Sequence, residues 1–398
     1  MERISKRKIL ILFSVAFFIR LIFILTLKNY FYFDDEYEYF NMVKNFLSGK
    51  GLIVGETLKS FRPPLYPLFL SLFYRFGCSL ITIRIIQAII SSFTVLLIYI
   101  TGKKIFEEKV GFISAIISVF YPFFIFYTGF FLTETLFVFL VVVTIYFYIL
   151  TLESDKYKIK YLIQCGIYSG LSSLCRPTME PFFLIFLLFL LIGKENFKIK
   201  IKKILISSLF FILTLSPWII RNYVIFKKFI PATTMGGWVF WEGNNHKSEG
   251  GPCSYFPKDI LKMEETKRDS YLYNLAIEEI KKNPKRFIWL LYNKFKRFWN
   301  IVPNAPQFQK PLYRIISILS FGLLLPFFII GFFLSLKKKE GLIIHALIVY
   351  FTIFHMAFLA SIRYRVAIEP FYIIFGVYGF TFLLTAGVKL LFSSKLVV

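Results

Sequence analysis

Three consecutive carboxylates, Asp34, Asp35 and Glu36, stand among the aromatics Phe31, Tyr32, Phe33, Tyr37 and Tyr39, just past an apolar stretch. Further on comes Phe61-Arg62-Pro63-Pro64-Leu65-Tyr66-Pro67, an arginine stiffened by a double proline. Carboxylates resist the low-dielectric neighbourhood of lipid, so a run of acids here is either a solvated loop or a shaped site. The interleaved aromatics and the stiff Arg-Pro-Pro favour the site. Its chemistry would be group transfer: an Asp or Glu takes a proton from an attacking hydroxyl or amine, while arginine offers fixed donors to a departing phosphate. Three adjacent acids beside lipid are not expected to ionise together, so one should have a raised pKa.

The elements that position these residues must be membrane helices. The chain has 398 residues, 57% hydrophobic and 18% charged, with a mean hydropathy of +0.66, where soluble domains are about half apolar and a quarter charged. A net charge of +25 could indicate nucleic acid, but the lysines cluster in short segments between apolar runs, as in cytoplasmic membrane loops, and not in a groove with stacking aromatics. Apolar stretches of crossing length fall at 9–27, 79–101, 110–128, 132–151, 161–175, 179–193, 204–222, 312–336, 341–360 and 368–391. The expected fold is therefore an all-α integral membrane protein of about ten transmembrane helices. No small-residue cleavage site follows the first stretch, which reads as a retained helix. Among the cysteines, Cys165 and Cys175 read as small buried hydrophobes; Cys78 and Cys253 could bridge, which sequence alone leaves open.

Alternate connections carry Arg3-Lys6-Arg7-Lys8, Lys103-Lys104-Lys109, Lys156-Lys158-Lys160, Lys194 to Lys203, Lys337-Lys338-Lys339 and Lys389. By the positive-inside rule these are cytoplasmic. Both termini are then inside a cell membrane, with 28–78 and 223–311 outside. The expected organisation is an N-terminal transmembrane module (1–222), an external, mostly α segment (223–311) and C-terminal membrane helices (312–398). In the first loop, Phe40, Val43, Phe46 and Leu47 recur at helical spacing, a stripe for lying on the bilayer, with Gly49 and Gly51 to end it. A second helix follows Pro64, through Leu65 to Phe76. Met263 to Lys282 predicts an exposed amphipathic helix, Asn283-Pro284 a break, and Lys285 to Asn300 a helix at the interface.

On that topology other polar residues gather on the outer side: Glu134 at the mouth of the fourth span, Arg176 in the turn after the fifth, Arg221 closing the seventh, and Arg363-Tyr364-Arg365 with Glu369-Pro370 before the tenth. Arginines placed against the positive-inside bias suggest an anionic ligand. There is no G-x-x-x-x-G-K-S/T and no G-x-G-x-x-G after a strand, and nucleotide sugars are scarce outside the cytoplasm, which favours a lipid-linked donor. His246, His345 and His355 form no zinc motif.

Asp35-Glu36 with Tyr39, Arg62-Pro63-Pro64-x-Tyr66-Pro67, Pro217-Trp218-x-x-Arg221-Asn222-Tyr223, Gly243-Asn244-Asn245 and Arg363-Tyr364-Arg365-x-x-x-Glu369-Pro370 together resemble the C-type glycosyltransferases that use polyprenyl-phosphate sugars. The bacterial relatives of protein mannosyltransferases and of the lipid A aminoarabinose transferase look most alike. The resemblance implies a hexosyl- or pentosyltransferase acting by one inverting displacement. It makes Asp35 the catalytic base beside Glu36, with Glu134 as the second acid; the extra Asp34 leaves open which aspartate faces the acceptor. It assigns the donor phosphate to Arg62, Arg363, Arg365 and Arg176, places Tyr66, Asn244 and Asn245 in the acceptor and donor loops, and gives Arg221 a structural role. Its partners would be a polyprenyl-phosphate sugar, a lipid, glycan or protein acceptor and membrane lipid, with no nucleic acid. Some relatives use a divalent metal, for which Asp34, Asp35 and Glu36 are the candidate ligands, though no complete set is visible. The rival readings are a transporter or flippase, which would set its ionisable residues near the bilayer midplane in paired repeats, and a related glycan polymerase or ligase.

Overall fold

The computed structural model describes residues 6–153 and 158–393, with side chains as far as 386. Arg3 and Lys156, on which part of the expected orientation rests, lie outside the described residues, as does the side chain of Lys389. Among the described residues the chain is helical, apart from an isolated bridge between Val54 and Leu58.

Helix α1 (Lys6–Leu25) is apolar around most of its surface but buries Arg20. That guanidinium donates to Ser91 Oγ at 2.7 Å and to the carbonyls of Ala16 and Val119 at 3.0 and 3.2 Å, so the buried charge is solvated by the protein itself. Two shorter helices, α2 (Asp34–Leu47) and α3 (Leu65–Arg75), lead to α4 (Leu80–Ile105), whose N-cap Ser79 accepts from Thr82 N at 3.2 Å. Helix α5 (Glu108–Phe120) stops before Pro122, which lacks the N–H needed to continue. The next turn, α6 (Pro122–Phe126), departs at 52°. This bend delivers the chain to Thr133 and the start of α7 (Glu134–Leu152), the helix with Glu134 at its head. Then follow α8 (Ile159–Cys175), α9 (Glu180–Ile192) and the long α10 (Phe197–Phe226).

The polar segment folds as α11 (Gly236–Asn244), α12 (Glu265–Lys282) and α13 (Pro284–Trp299), with Asn283 capping α13 by accepting from Arg286 N at 3.1 Å. Helix α11 packs on α12, and α13 packs on α16 (Leu342–Ala357). Before α16 come α14 (Pro311–Ser317), a wider turn at 318–322 and α15 (Leu323–Ser335); after it come the short α17 (Ile362–Arg365) and α18 (Glu369–Ser393). Helices α15 and α18 meet through glycines: a Cβ at Gly331 would stand 1.9 Å from Phe375 O, and one at Gly379 2.1 Å from Phe327 O. Small residues let backbones approach in this way where lipid supplies no hydrophobic drive.

Each of the ten expected stretches contains helix. Among the described residues, seven helical stretches are by themselves long and apolar enough to cross a membrane, eight if the bent α5–α6 pair is one span. Helices α8 and α9 account for the rest of the expected ten. The first is interrupted by polar Gln164, Ser169, Ser172 and Ser173; the second, at 13 residues, is only about 20 Å long against a hydrocarbon core of about 30 Å.

One sequence expectation is corrected here and one open question is answered. The stripe on α2 does not serve the bilayer alone: Phe40 and Val43 are buried in a protein core with Tyr66, Leu70 and Phe131, while Phe46 and Leu47 stay exposed. Cys78 and Cys253 are free thiols, as are Cys165 and Cys175. The breaks fall where expected: Gly49 and Gly51 adopt φ of +81° and +92° after α2, and Pro64 precedes the first turn of α3.

Candidate active site

The first turn of α2 sends its three acids in three directions. Asp34 is exposed. Glu36 folds back on its own entry loop, accepting from Tyr32 N, from Phe33 N at 2.9 Å and from Phe131 N at 2.8 Å. Burial lifts this carboxyl above its ordinary value although three N–H groups pull it down. Asp35 alone faces a cavity of about 400 Å³.

There it joins a continuous chain of alternating charge. Arg62 Nη2 lies 2.6 Å from Asp35 Oδ1, and Arg62 Nε donates to Glu38 Oε2 at 2.8 Å. Arg363 Nη1 lies 2.6 Å from Asp35 Oδ2, and its Nε donates to Glu134 Oε1. Arg176 donates to the same Glu134 oxygen and, through Nε, to Thr133 Oγ1 at 2.7 Å. The order is Glu38, Arg62, Asp35, Arg363, Glu134, Arg176: three carboxylates and three guanidiniums, formally neutral. Burial alone would lift the Asp35 carboxyl, but Arg62 and Arg363 outweigh it and hold it well below the usual carboxylate range.

Asp35 and Glu38 come from α2, and the other members from separate segments. Glu134 is the first residue of α7 and 1% exposed, placed where a helix N-terminus favours an anion. Arg363 sits in α17, whose N-cap Ser361 accepts from Arg363 N at 3.3 Å. Arg62 is positioned by α12: Glu265, 6% exposed, accepts from Lys59 N at 2.7 Å, Ser60 N at 2.9 Å and the Thr234 hydroxyl. The Arg268 guanidinium lies 5.9 Å from the ring centroids of both Phe61 and Trp238. Arg221 donates to the carbonyls of Lys59 and Leu52 at 2.6 and 3.2 Å, clasping the same loop rather than the 223–311 segment that it was expected to hold.

The cavity is also lined by the aromatic side chains of Phe137, Phe351, Phe354, Phe358 and Tyr364, the Arg176 guanidinium lying over the rings of Phe137 and Tyr364 at 5.3 and 5.9 Å. Met235, Gly236 and Val239 bring α11 to its rim. Burial raises Glu242, further along α11, to about 7 against the pull of Arg62. The lysine-rich connections gather elsewhere: Lys8 and Lys103 both pair with Glu108 at 2.7 Å, and Lys104 pairs with Glu153.

The structure thus brings together Asp35, Glu134, Arg62, Arg363 and Arg176. It turns Arg365 away: this residue is fully buried, pairs with Glu369 at 2.9 Å and donates to the carbonyls of Phe298 and Asn300 at 3.1 and 2.6 Å. Tyr66 is also buried, with its hydroxyl on Gln87 Oε1 at 2.8 Å. Asn244 and Asn245 serve the framework, donating to the carbonyls of Phe240 at 2.8 Å and Trp241 at 3.0 Å. Sequence reasoning missed Glu38 and Glu265. The first was signalled, since Asp35 and Glu38 are three apart and share a helix face; nothing in the spacing signalled the second. A metal does not fit the acidic triplet: Asp35 is held by two arginines, Glu36 by backbone amides, and Asp34 points elsewhere. No group of three His, Cys, Asp or Glu side chains suited to a metal occurs among the described residues.

The resemblance carried by these residues is borne out. The profile of the family described as dolichyl-phosphate-mannose-protein mannosyltransferase matches residues 61–220, a segment that holds Arg62, Glu134 and Arg176. Over 120 residues the chain is 31% identical to GPI mannosyltransferase 3 of Debaryomyces hansenii, covering 28% of this chain and 22% of that protein. The fold is similar to that of the Archaeoglobus fulgidus oligosaccharyltransferase in its apo form, with a TM-score of 0.58 at 14% identity over 96% of this chain and 51% of that one. The structure of the same organism's oligosaccharyltransferase AglB with an inhibitory peptide and a dolichol-phosphate gives 0.57 at 13%, over 98% and 52%. The chain therefore has the C-type glycosyltransferase membrane fold and spans about half the length of those archaeal chains.

Proposed function

We propose that this protein is a membrane glycosyltransferase that moves a sugar from a polyprenyl-phosphate carrier to an acceptor on the external face of the cell membrane. The observation that carries the proposal is the alternating chain from Glu38 to Arg176, whose Asp35, Arg62, Arg363 and Arg176 line one cavity together with aromatic side chains, those two linings being what a ligand there would meet. A phosphate with an apolar tail matches both linings, and the dolichol-phosphate held by the archaeal neighbour supports that choice of ligand. The external assignment rests on the lysine-rich connections being remote from this cavity.

The ion pairs suggest how the reaction is controlled. In the empty protein Asp35 is a poor base, because two guanidiniums stabilise its charge. A donor phosphodiester carries one negative charge and takes hydrogen bonds from Arg62 and Arg363, adding that charge to a neutral cluster and freeing Asp35. The freed carboxylate accepts the proton of the acceptor hydroxyl or amine as the new bond to the anomeric carbon forms. The bond from that carbon to the phosphate oxygen breaks on the opposite side, with inversion. The second charge then developing on the phosphate is stabilised by the arginines, while protonation neutralises Asp35. Glu134 holds Arg363 and Arg176 in place throughout.

The test is sugar transfer by the purified protein from a defined polyprenyl-phosphate sugar to a panel of lipid, glycan and peptide acceptors. Transfer that is lost in Asp35→Asn meets the expectation. Carrier movement across vesicles with no transfer would replace this reading with the flippase.

A further inference from the structure

Helix α13 carries Lys285, Arg286, Lys294, Lys296 and Arg297 and no acid in its 16 residues. One face exposes Ile288, Trp289, Tyr292 and Phe295, which suits an interfacial helix. Beside its second half, between the 300–304 turn and α15, runs an open groove of about 720 Å³ walled by Trp289, Asn293, Lys296, Arg297, Asn304 and Leu325. That volume falls within the range of small-ligand sites.

Two side chains of this wall each hold a buried donor that meets no acceptor. Asn304 Oδ1 accepts from Asn300 Nδ2 at 2.7 Å, but Asn304 Nδ2 has no partner, and neither has Arg297 Nε. The Arg297 guanidinium is pressed against the chain at Gly251, where a Cβ would stand 2.1 Å from Nη2. Glu249, exposed on the rim, acts on it only through space. Buried donors without acceptors are costly, and native proteins usually satisfy them with a ligand, water or ion. Below this cationic rim the outer face of 318–335 is bare hydrocarbon, with Leu319, Leu323 and Ile329 exposed. The groove is therefore lined by Lys296, Arg297 and the amide side chains of Asn293 and Asn304, reaches α15 at Leu325, and carries Trp289 and Trp299, residues suited to headgroup depth.

We propose that this groove holds the phosphate headgroup of an anionic membrane lipid, its acyl chains lying along α15. The site is separate from the Asp35 cavity: Phe298, buried on α13, stacks on His355 at 5.5 Å, and His355 lines that cavity. The proposal does not depend on the transferase reading.

Native mass spectrometry of the detergent-purified full chain, titrated with phosphatidylglycerol or phosphatidylcholine, tests it. Wild type should retain phosphatidylglycerol in preference. Arg297→Gln with Asn304→Leu should weaken that retention about tenfold, the worth of one charge-assisted hydrogen bond, and Glu249→Gln should strengthen it. Lys267→Gln, exposed on α12 and outside both the groove and the Asp35 cavity, should retain the lipid as wild type does. Millimolar inorganic phosphate should fail to displace it; displacement would mean that the headgroup alone is recognised, overturning the lipid assignment. Equal retention of the two lipids by wild type, or unchanged retention by the double variant, would overturn the site.

Discussion

Arg363 reaches across 328 positions of the chain to bring Nη1 within 2.6 Å of Asp35 Oδ2, while its Nε engages Glu134. One guanidinium thus binds two of the four acids that the family resemblance marks as catalytic, and any phosphate drawn to Arg363 must compete with them. Removing Arg363 should weaken binding of a polyprenyl phosphate about 10- to 100-fold, the range expected for charge-assisted hydrogen bonds of roughly 1.5–3 kcal/mol. Arg176 still pairs with Glu134, so Arg363→Ala should fold. Carrier titration by intrinsic fluorescence is the measurement, and wild-type affinity in a folded variant would refute the phosphate grip.

The same competition gives Asp35→Asn two opposed effects. Loss of a general base typically costs about a hundred- to ten-thousandfold in rate, roughly 3–5 kcal/mol on the barrier. Carrier affinity should rise, because asparagine no longer competes for Arg62 and Arg363. Asp34, exposed at the head of α2, should tolerate Asn with little change in turnover. Measuring affinity and single-turnover rate on both variants separates the two aspartates. Weaker carrier binding by Asp35→Asn would contradict the exchange.

The acidic triplet, Arg62 and Arg363 were legible in the sequence because lipid makes such residues rare and loop prolines make them stiff. Arg365 was not, for a geometric reason. Arg-x-Arg puts both side chains on one face of a strand, but in the helical turn of α17 residues two apart point to nearly opposite sides, so Arg363 enters the cavity while Arg365 meets Glu369. The stripe on α2 was visible, but whether Phe40 and Val43 met lipid or protein depended on α3 and Phe131, which periodicity does not encode. Glu265 is over 200 positions from the loop that it holds, and no local pattern announces such a contact.

That contact is itself testable. Glu265→Ala leaves Lys59 N, Ser60 N and the Thr234 hydroxyl without their acceptor, at about 1–3 kcal/mol per group that stays buried. The segment carrying Arg62 should loosen before the bundle does. Hydrogen exchange should quicken at 58–62 and 232–236 while α7 and α18 keep their protection, and carrier affinity should fall. Uniform exchange across the chain would mean that Glu265 merely stabilises the whole fold.

The side of the membrane can be read with one labelled cysteine. After replacement of the four native cysteines, one at Lys267, exposed on α12, should react with a membrane-impermeant reagent in intact cells, and one at Lys338 should not. The reverse pattern would place the Asp35 cavity in the cytoplasm.

Lys294 should make stability depend on pH in an unusual direction. It is fully buried, donates to Asn244 Oδ1 at 2.8 Å and to Ala357 O at 3.1 Å, and faces no carboxylate in contact. Burial lowers it to about 7, against an ordinary value near 10.4. Between those values the unfolded chain binds a proton that the folded chain does not, so stability should rise as pH increases from about 7 towards 10. Below about 7 both states are protonated and this dependence disappears. Lys294→Met removes the titrating group while keeping much of its length, and should flatten the slope across that window. Thermal midpoints in detergent at pH 6, 7, 8 and 9, for wild type and variant, provide the comparison. Parallel pH profiles for the two proteins would show that Lys294 stays charged in the fold, held by an anion that its two carbonyl partners do not supply.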